Sequence, residues 1–544
     1  MSTPGAEKRM PFYEEVRLAL PEQLAAYLSI QRWFGGKARK TRSAELLDLV
    51  PLQTGEADAY LLLAQVEYEA GPGDTYVLPM ICSEAAIGHA TDGNAGLLVR
   101  RAAGRSNGTA LLTDALKNDP FLSWLLDAIE VRLVSKGAQG EIRASYTEMF
   151  QTIRSQAGNG LRPRLLKGEQ SNSSIAYGDR LILKLFRRVE EGVNPDLEIG
   201  LFLTEKARFS HVPPVAGSIE YRASSGIGMT IGILQGFVPN QGDAWTYTLH
   251  SLEGFWEKPA TCPEGPPNVT AEDANPVLQY DAVPPKAVAD LIGPYLEKID
   301  LLGKRTAQLH VALASDSSDP AFAPEPFTDS SLRSLEGSAR GLAARNFGLL
   351  RQKLGELLPE TRAQAAEILD QESAILERFR AWAGKQTLGA RIRIHGDYHL
   401  GQVLFTGSDF VIIDFEGEPA RRLPERRMKR SPLQDVASML RSFHYAAFVH
   451  LLEPAGESHS REKKFQEYAP WARSWYTWVA SRFLRSYFEI AQSGSFLPSS
   501  REEISGLLQV HLLDKAVYEL GYELNNRPSW VGIPLAGISQ LLAR

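Results

Sequence analysis

The feature that most constrains this chain is a polar segment between two short apolar runs in its C-terminal third. Residues 395–402 read HGDYHLGQ, and a second apolar run ends at Ile413 immediately before DFEGEP at 414–419. Each run has the length of a short β-strand with polar residues at its tip. The pattern therefore selects Asp397, Gln402 and Asp414 as candidate chemical groups.

These residue types suit phosphoryl transfer, which needs a carboxylate near the attacking hydroxyl and oxygen ligands for Mg²⁺. The spacing matches the kinase pattern H-x-D-x-x-x-x-N followed by a D-F-x metal site. We therefore predict that Asp397 is the catalytic base and that Gln402 and Asp414 are metal ligands. Gln402 departs from the pattern, since it stands where protein kinases have Asn. The alternative is a chance junction of buried polar residues.

Two histidines flank the predicted base. His395 is expected to orient the loop rather than to react, because that is its usual part in this pattern. His399 has two open interpretations, a residue facing the ligand or a residue packing the loop.

A lysine at the end of an apolar strand gives the second signal. Residues 181–184 read LILK, and a charge at Lys184 is costly unless phosphate oxygens and a carboxylate pair with it. Glu198 on the next helix is the favoured carboxylate, ahead of three other glutamates: Glu190, Glu191 and Glu205. The alternative is a lysine that extends to solvent from an edge strand.

Two further segments are candidates for nucleotide binding. The polar loop before Lys184 would cover phosphates with backbone N–H groups and hydroxyls, although it is not a Walker A loop. The apolar strand at 233–238 would provide the backbone hinge that reads adenine, or would be an ordinary linker. The candidate residues are Gly168, Gln170, Ser171 and Ser173 in the loop, and Gln235 and Val238 at the hinge.

The remaining periodicity predicts a β-rich half followed by an α-rich half. A helix is expected over 18–30, strands over 44–52, 59–69 and 75–82, and a helix over 114–134. Strand, polar loop, strand, turn and strand follow from about 162 to 186. The proline-rich stretch 255–290 predicts an insertion.

Together these segments resemble the aminoglycoside-phosphotransferase-like branch of the protein-kinase-like superfamily, and within it the maltokinases. The resembling segments are 31–37, 167–174, 181–187, 235–245, 395–404, 414–419, 431–446 and 515–534. The resemblance implies an α+β, bilobal protein-kinase-like fold with a β-rich N-lobe, an extra N-terminal cap subdomain and a mostly α-helical C-lobe. The expected boundaries are 1–100 for the cap, 101–237 for the N-lobe and 238–544 for the C-lobe.

The resemblance also implies that the chain uses ATP and Mg²⁺ to phosphorylate the anomeric hydroxyl of maltose, giving maltose 1-phosphate. It further implies that Asp435 ties its carboxylate to the backbone of the catalytic loop, and that a separate trehalose synthase is a partner. One alternative is a glucosamine or hexosamine kinase on the same scaffold. A second alternative is a catalytically silent pseudokinase that binds a trehalose synthase. The presence of Asp397, Asp414 and Lys184 argues against this alternative.

A C-terminal helix is the candidate sugar site. Tyr518 and Tyr522, like Glu519 and Glu523, are i,i+4 pairs, and aromatic faces with carboxylates suit a sugar. Two like charges one turn apart need a ligand or a cation to offset them. Lys515 could be that cation, so a purely structural role is left open.

The net charge and the cysteine content argue against other classes of protein. A net charge of −6 argues against a general nucleic-acid binder, and the basic run 421–430 is expected to be a solvated face. Two distant cysteines form no zinc or disulfide framework. With no signal peptide or bilayer-spanning apolar stretch, the expected location is the cytoplasm, without membrane contact.

Overall fold

The computed structural model describes residues 10–55, 57–84, 96–100, 109–158, 160–166, 171–257, 275–278, 280–383, 389–452 and 461–542. The chain divides into two compact units. The first is Met1–Thr204 with Pro213–Pro239, and the second is Glu205–Val212 with Asn240–Arg544.

The first unit begins with a helix packed on an antiparallel sheet. Its elements are α1 (Met10–Ser29), β1 (Thr41–Gln53), β2 (Asp58–Tyr68), β3 (Asp74–Glu84), β4 (Leu97–Arg100) and β5 (Thr109–Asp114). The strand order is β1-β2-β3-β5-β4. Val16, Leu20, Leu24 and Leu28 recur every fourth residue, so they share one helical face, and all four are fully buried. The helix and three strands predicted from periodicity are confirmed.

A second antiparallel sheet follows in the same unit. Its elements are α2 (Asp119–Glu130), β6 (Val134–Lys136), β7 (Gly140–Tyr146), α3 (Glu148–Ala157), β8 (Pro163–Leu165), β9 (Asn172–Tyr177), β10 (Leu181–Phe186), β11 (Arg188–Val189), α4 (Pro195–Leu201), β12 (Val215–Ala223) and β13 (Gly228–Gly236). The order is β6-β7-β12-β13-β10-β9-β8. The observed helix α2 is shorter than the helix predicted over 114–134. It begins at Asp119, and Asp114 is the last residue of β5.

The turn between β9 and β10 depends on a glycine. Gly178 has a φ of +59°, and a Cβ there would lie 2.7 Å from the Gly160 carbonyl oxygen. Any side chain would be strained and would clash with backbone. The predicted strand, turn and strand are confirmed at this place.

The two sheets of the first unit are joined by one continuous stretch of chain. β10 belongs to the second sheet, whereas β11 pairs antiparallel with β3 of the first. Only Arg187 separates the two strands.

The second unit is mostly helical. Its elements are α5 (Ala244–Trp256), α6 (Lys286–Ile292), α7 (Tyr295–Leu313), β14 (Glu325–Pro326), α8 (Asp329–Lys353), α9 (Pro359–Asp370), α10 (Glu372–Ala383), β15 (Ala390–Arg391), β16 (Val403–Phe405), β17 (Phe410–Ile412), α11 (Leu423–Arg426), α12 (Leu433–Val449), α13 (Arg461–Ala491), α14 (Arg501–Asn526) and α15 (Gly532–Leu542). β16 pairs with β17, and β14 with β15. This β-then-α order confirms the predicted fold class.

Helix α12 lies in the core of this unit, since most of its residues are buried. A neighbouring core contains Phe347 of α8, Phe379 of α10 and Leu520 of α14. Of the proline-rich stretch predicted as an insertion, 258–274 and 279 lie outside the described residues. Within the described ranges no helix is long and apolar enough to cross a membrane.

Buried His511 predicts a loss of stability in acid. Burial, with Arg430 nearby, lowers the pKa of this α14 side chain to about 4. In the unfolded chain the imidazole titrates near ~6.5. The unfolded state therefore binds the extra proton between these values, and the free energy of unfolding falls as pH drops through that window.

We expect His511→Gln to remove this part of the pH dependence. Between pH 7.5 and 5 the wild type should lose about 1–2 kcal/mol more than the variant. Urea unfolding of both proteins at the two pH values measures the difference. Parallel losses would show that His511 does not titrate in this way.

Candidate functional site

The loop that carries Asp397 is held by a buried carboxylate. The backbone N–H groups of His395 and Gly396 donate to Asp435 Oδ2 (2.8 Å) and Oδ1 (2.9 Å). Asp435 lies in the first turn of α12 and is 1% exposed. The structural role expected for Asp435 is confirmed.

Two more helices contribute to this anchor. His310 of α7 places Nε2 3.2 Å from Asp435 Oδ2, and its Nδ1 lies 2.9 Å from the Tyr487 hydroxyl of α13. Burial opposes ionisation of Asp435, but His310, His395 and the Gly396 amide hold the pKa of its carboxyl below the usual value. The loop is therefore positioned by a charged group fixed among α7, α12 and α13.

His395 connects the loop to the segment before Asp414. Its Nδ1 accepts from the Asp397 N–H (3.3 Å), and its Nε2 lies 2.9 Å from the Ile413 carbonyl oxygen. A carbonyl only accepts, so Nε2 carries a hydrogen in this contact. Both nitrogens are used within the loop, which agrees with the expected orienting role.

His399 lies beside the predicted base. Its Nδ1 accepts from the Gly401 N–H (3.1 Å), and its Nε2 is 3.9 Å from Asp397 Oδ2. Burial lowers the pKa of His399, although the Asp397 charge acts in the opposite direction. One ring nitrogen thus packs the loop while the other faces the carboxylate, so the geometry combines the two interpretations left open by the sequence.

A short hairpin brings the two predicted metal ligands together. Val403 of β16 is opposite Ile412 of β17, so Gln402 and Asp414 leave the hairpin at the same end. Gln402 Nε2 donates to Asp414 Oδ2 at 3.0 Å. Asp414 has a φ of +67°, which is unusual for a residue with a side chain and costs of order 1–3 kcal/mol.

This donor set fits a hard divalent cation. One carboxylate and one amide oxygen, completed by phosphate oxygens and water, match the preference of Mg²⁺. The Gln402 amide directs its nitrogen to Asp414 here, and a cation would take its oxygen instead.

Lys184 in the first unit lies beside a buried carboxylate. Its Nζ is 3.4 Å from Asp196 Oδ2, and the Asp196 side chain is 2% exposed. Asp196 stands on α4, as does the predicted partner Glu198, and its N–H is capped by Asn194 Oδ1 (2.9 Å). Asp196 was not selected from the sequence, and the pairing of Glu198 stays a prediction.

The register of β9, β10 and β13 shows which of the residues predicted to bind nucleotide lie on the same face of the sheet as Lys184. Opposed residues of an antiparallel pair share a face, and neighbours along a strand alternate. Ser174 is opposite Lys184 and Gln235 is opposite Ile182, so Ser174 and Gln235 lie on the face of Lys184. Ser173 is opposite Leu185 and lies on the other face.

The other residues of this prediction fall at the edges. Ser171 is exposed just before β9, and Val238 follows β13. Gly168 and Gln170 lie outside the described residues.

Helix α14 presents Tyr518 towards the catalytic loop. The Tyr518 hydroxyl donates to Glu418 of the DFEGEP segment, and Lys515 Nζ lies 4.8 Å from the Tyr518 ring centre. Burial raises the pKa of Tyr518, and the charges of Glu418 and Asp397 raise it further. Tyr518 is therefore within electrostatic reach of the predicted base.

The two glutamates predicted to bind sugar each lie against an arginine, Glu519 against buried Arg441 and Glu523 against exposed Arg527. Glu519 Oε2 accepts from Arg441 Nε at 2.8 Å, and both residues are buried. Glu523 accepts from Arg527 Nη2 (2.6 Å) and from the Tyr445 hydroxyl (3.1 Å). These contacts give both carboxylates partners within the chain and favour a packing role, while the sugar contacts of Glu519 and Glu523 stay a prediction.

Tyr522 has another environment again. It is 47% exposed, and the Arg527 guanidinium lies 5.5 Å from its ring centre. The sugar contact of Tyr522 stays a prediction.

Sequence reasoning missed a charged cluster beside Tyr518. Glu418 also accepts from Arg421 Nε (2.6 Å), so this part of the basic run is paired rather than simply solvated. Burial raises the pKa of Asp514 to about 6, with Glu418 adding to the shift and Arg421 opposing it. The available signal was the i,i+4 spacing of Asp514 and Tyr518 on α14.

Two family models match the chain. The maltokinase N-terminal cap domain matches residues 27–117, and the phosphotransferase enzyme family matches residues 292–471. The second match contains the Asp397 loop, the Gln402–Asp414 hairpin and Asp435. The chain therefore combines one segment similar to the maltokinase cap with one similar to the phosphotransferase enzyme family. The predicted resemblance and the broad enzyme class, a kinase-type transferase, are confirmed.

Three proteins similar to this chain are named glucosamine kinase. A glucosamine kinase of Mycolicibacterium smegmatis is 24% identical over 394 residues, which cover 71% of this chain and 81% of that protein. Another, from Streptacidiphilus jiangxiensis, is 24% identical over 257 residues, covering 44% and 48%. A glucosamine kinase structure with glucosamine, ADP and inorganic phosphate has a TM-score of 0.59 at 17% identity, covering 98% of this chain and 99% of that one. That likeness concerns the fold.

The different partners of Tyr518 and Glu519 on α14 predict different effects of substitution at these two positions. Glu519→Gln should lower the free energy of unfolding by about 3 kcal/mol or more, because buried Arg441 loses its counter-charge, and should leave both KM values unchanged. Tyr518→Phe should raise the acceptor KM with little loss of stability. Thermal unfolding and steady-state kinetics of both variants separate these roles. A raised acceptor KM in a stable Glu519→Gln variant would instead support the predicted sugar contact of Glu519.

Proposed function

We propose that this protein transfers the γ-phosphoryl group of ATP to the anomeric hydroxyl of maltose, giving maltose 1-phosphate and ADP. One observation carries the proposal. The Asp397 loop is clamped by Asp435 and lies in the same unit as the Gln402–Asp414 pair. This arrangement supports the proposal, because phosphoryl transfer requires a base beside the attacking hydroxyl and a cation at the phosphates.

Asp397 accepts the proton of the attacking hydroxyl as the new P–O bond forms and the bond between the γ-phosphorus and ADP breaks. His399 places its Nε2 3.9 Å from Asp397 Oδ2 and so limits the space into which the carboxylate can turn. Mg²⁺, held by Asp414 and Gln402, would neutralise charge on the transferred phosphoryl group. His395 and Asp435 preserve the loop geometry.

On the nucleotide side, Lys184 binds phosphate oxygens. Its 14% exposed side chain and its contact with Asp196 fix the ammonium group near the centre of a sheet. An ammonium held in this way stabilises a polyanion at small conformational cost. Gln235 and Val238 provide the adenine hinge, and Gly168, Gln170 and Ser171 the phosphate cover.

The choice of maltose is supported by the maltokinase cap match and by the neutral hydrogen-bonding groups near Asp397. The Tyr518 hydroxyl and the His399 ring can both bond to sugar hydroxyls. The names of the relatives favour a second candidate, glucosamine. Glu418 and Asp514 would suit its ammonium group, which a neutral disaccharide lacks. A trehalose synthase stays a proposed partner on the resemblance alone.

A coupled ADP-release assay over maltose, glucose, glucosamine and trehalose tests the proposal. We expect Mg²⁺-dependent turnover with maltose, and phosphorus NMR should place the product phosphate on the anomeric carbon. Asp397→Asn is the matched control, because the amide keeps the size of the side chain but accepts no proton usefully. It should lose about 10²–10⁴-fold in kcat while still binding ATP.

Three results would contradict these assignments. Turnover with glucosamine and with no other sugar would favour the second candidate, a glucosamine kinase, over a maltose kinase. No turnover with any sugar would support a silent binding protein. An Asp397→Asn variant that keeps more than about a tenth of kcat would show that Asp397 is not the base.

Asp414→Ala should abolish the Mg²⁺-dependent tightening of ATP binding, whereas Gln402→Ala should weaken it less. The carboxylate neutralises more of the ion's charge than the amide does. Calorimetric titration of ATP into each variant, with and without Mg²⁺, gives the ranking. Equal effects of the two substitutions would refute it.

A further inference from the structure

The hairpin that carries Gln402 and Asp414 is held at its turn by an arginine of α7. Arg305 Nε donates to Asp409 Oδ1 at 2.9 Å, and its Nη2 donates to Asp409 Oδ2 at 2.6 Å. The two side chains are 20% and 29% exposed, so the pair is shielded from much of the solvent. Two parallel hydrogen bonds of this kind fix the orientation of both groups as well as their distance.

The turn passes this constraint to both strands of the hairpin. Asp409 Oδ1 also accepts from the N–H of Phe410, the first residue of β17 (2.7 Å). Phe410 is opposite Phe405, the last residue of β16. The ladder continues to the other end of the hairpin, where the Ile413 N–H donates to the Gln402 carbonyl (3.0 Å). The Asp409 carboxylate is therefore joined by one hydrogen-bonded ladder to the end that carries the proposed cation ligands.

The same helix also holds the loop of the proposed base. Thr306, the next residue of α7, places its Oγ1 2.8 Å from the hydroxyl of Tyr398. Tyr398 directly follows Asp397 and is fully buried. One turn further along α7, His310 meets Asp435. Neighbouring side chains of one helix thus contact the hairpin and the catalytic loop.

Helix α7 is itself fixed in the core of the second unit. Gly303 lies so close to α13 that a Cβ there would clash with Ser486 Oγ and with the Phe483 carbonyl oxygen. Leu302 and Leu309 on the same helix are fully buried. Because a close-packed interior leaves no room for such a helix to slide or rotate, α7 gives the hairpin and the loop a common reference.

We infer that Arg305 is a positioning residue for the proposed cation site. It ties the hairpin to the helix that also holds the catalytic loop, and so sets the distance between Asp397 and the Gln402–Asp414 pair. This inference rests on the roles proposed for those three residues. Arg305 acts through Asp409 and the hairpin rather than on the nucleotide.

The length of the hairpin makes a small error at the turn costly. Asp414 follows Asp409 by five residues. An extended chain rises about 3.3 Å per residue, so the two lie on the order of 15 Å apart, and a tilt of about 5° at the turn would displace Asp414 by about 1 Å. A displacement of about 1 Å can lower a rate by about 10²-fold when it disturbs the reacting geometry.

Calorimetric titration of ATP into the full-length chain, with and without Mg²⁺, tests the inference. Arg305→Lys keeps the positive charge but cannot donate two parallel hydrogen bonds to Asp409. It should reduce the Mg²⁺-dependent tightening of ATP binding by about five- to tenfold, because a misplaced ligand binds the cation less well. Binding without Mg²⁺ should not change. In steady-state kinetics kcat should fall while the acceptor KM stays constant.

Arg340→Lys is the matched control. Arg340 Nη1 lies 3.0 Å from Glu336 Oε1, and both residues stand on α8 rather than on α7 or the hairpin. The substitution therefore breaks an arginine–carboxylate contact of similar length away from the proposed cation site. The variant should bind ATP like the wild type, both with and without Mg²⁺.

A second variant covers the case in which Arg305→Lys does not fold. Asp409→Asn removes the charge that Arg305 contacts but keeps an oxygen that can accept from the Phe410 N–H. It should reduce the Mg²⁺-dependent tightening in the same direction. The double variant should be no weaker than the weaker single variant, because both substitutions break one contact.

The outcomes are distinct. Reduced tightening in Arg305→Lys or Asp409→Asn, with Arg340→Lys like the wild type, supports the inference. Unchanged tightening in both hairpin variants, or an equal reduction in Arg340→Lys, overturns it. Asp414→Ala separates the two levels: if Asp414→Ala abolishes the tightening and the hairpin variants do not reduce it, only the inference fails. If Asp414→Ala keeps the tightening, the proposed cation site and the inference fail together.

Discussion

The catalytic region depends on the interaction between the Asp435 carboxylate and two backbone N–H groups of the 395–402 loop. An ionised carboxylate buried at 1% exposure is unfavourable unless its oxygens are satisfied. Here His395, Gly396 and His310 satisfy them, so α12 and the loop stabilise each other. Because α12 lies in the core, the position of Asp397 is tied to the packing of the whole second unit.

The second constraint is the hairpin that unites Gln402 and Asp414. Its register fixes their separation, and the positive φ of Asp414 directs that carboxylate back towards the amide. Strain of this kind persists where the surrounding structure over-determines the backbone. The hydrogen bonds of His395 to Asp397 and Ile413 link the two constraints, so the proposed base and the proposed cation ligands are held by one network.

Within the first unit, the cap adds a third constraint. A strand that passes from one sheet into another transmits displacement along its backbone, since its hydrogen bonds break together. The continuity of β10 and β11 through Arg187 makes the cap part of the support of Lys184. Such support of a binding group by a more distant layer is common in enzymes that hold ligands precisely placed.

The sequence by itself determined the β-then-α order, the Asp397 loop, the Gln402–Asp414 pair and Lys184. Those features depend on local spacing, which the chain carries wherever it folds. The tertiary structure decided which side of α14 meets the catalytic loop. Tyr518 and Glu519 are neighbours in sequence, yet one meets Glu418 and the other Arg441, because helix rotation is set by partners distant in the chain. The same reason applies to Asp196 beside Lys184 and to Arg187 against the cap, since such contacts join segments that no local pattern relates.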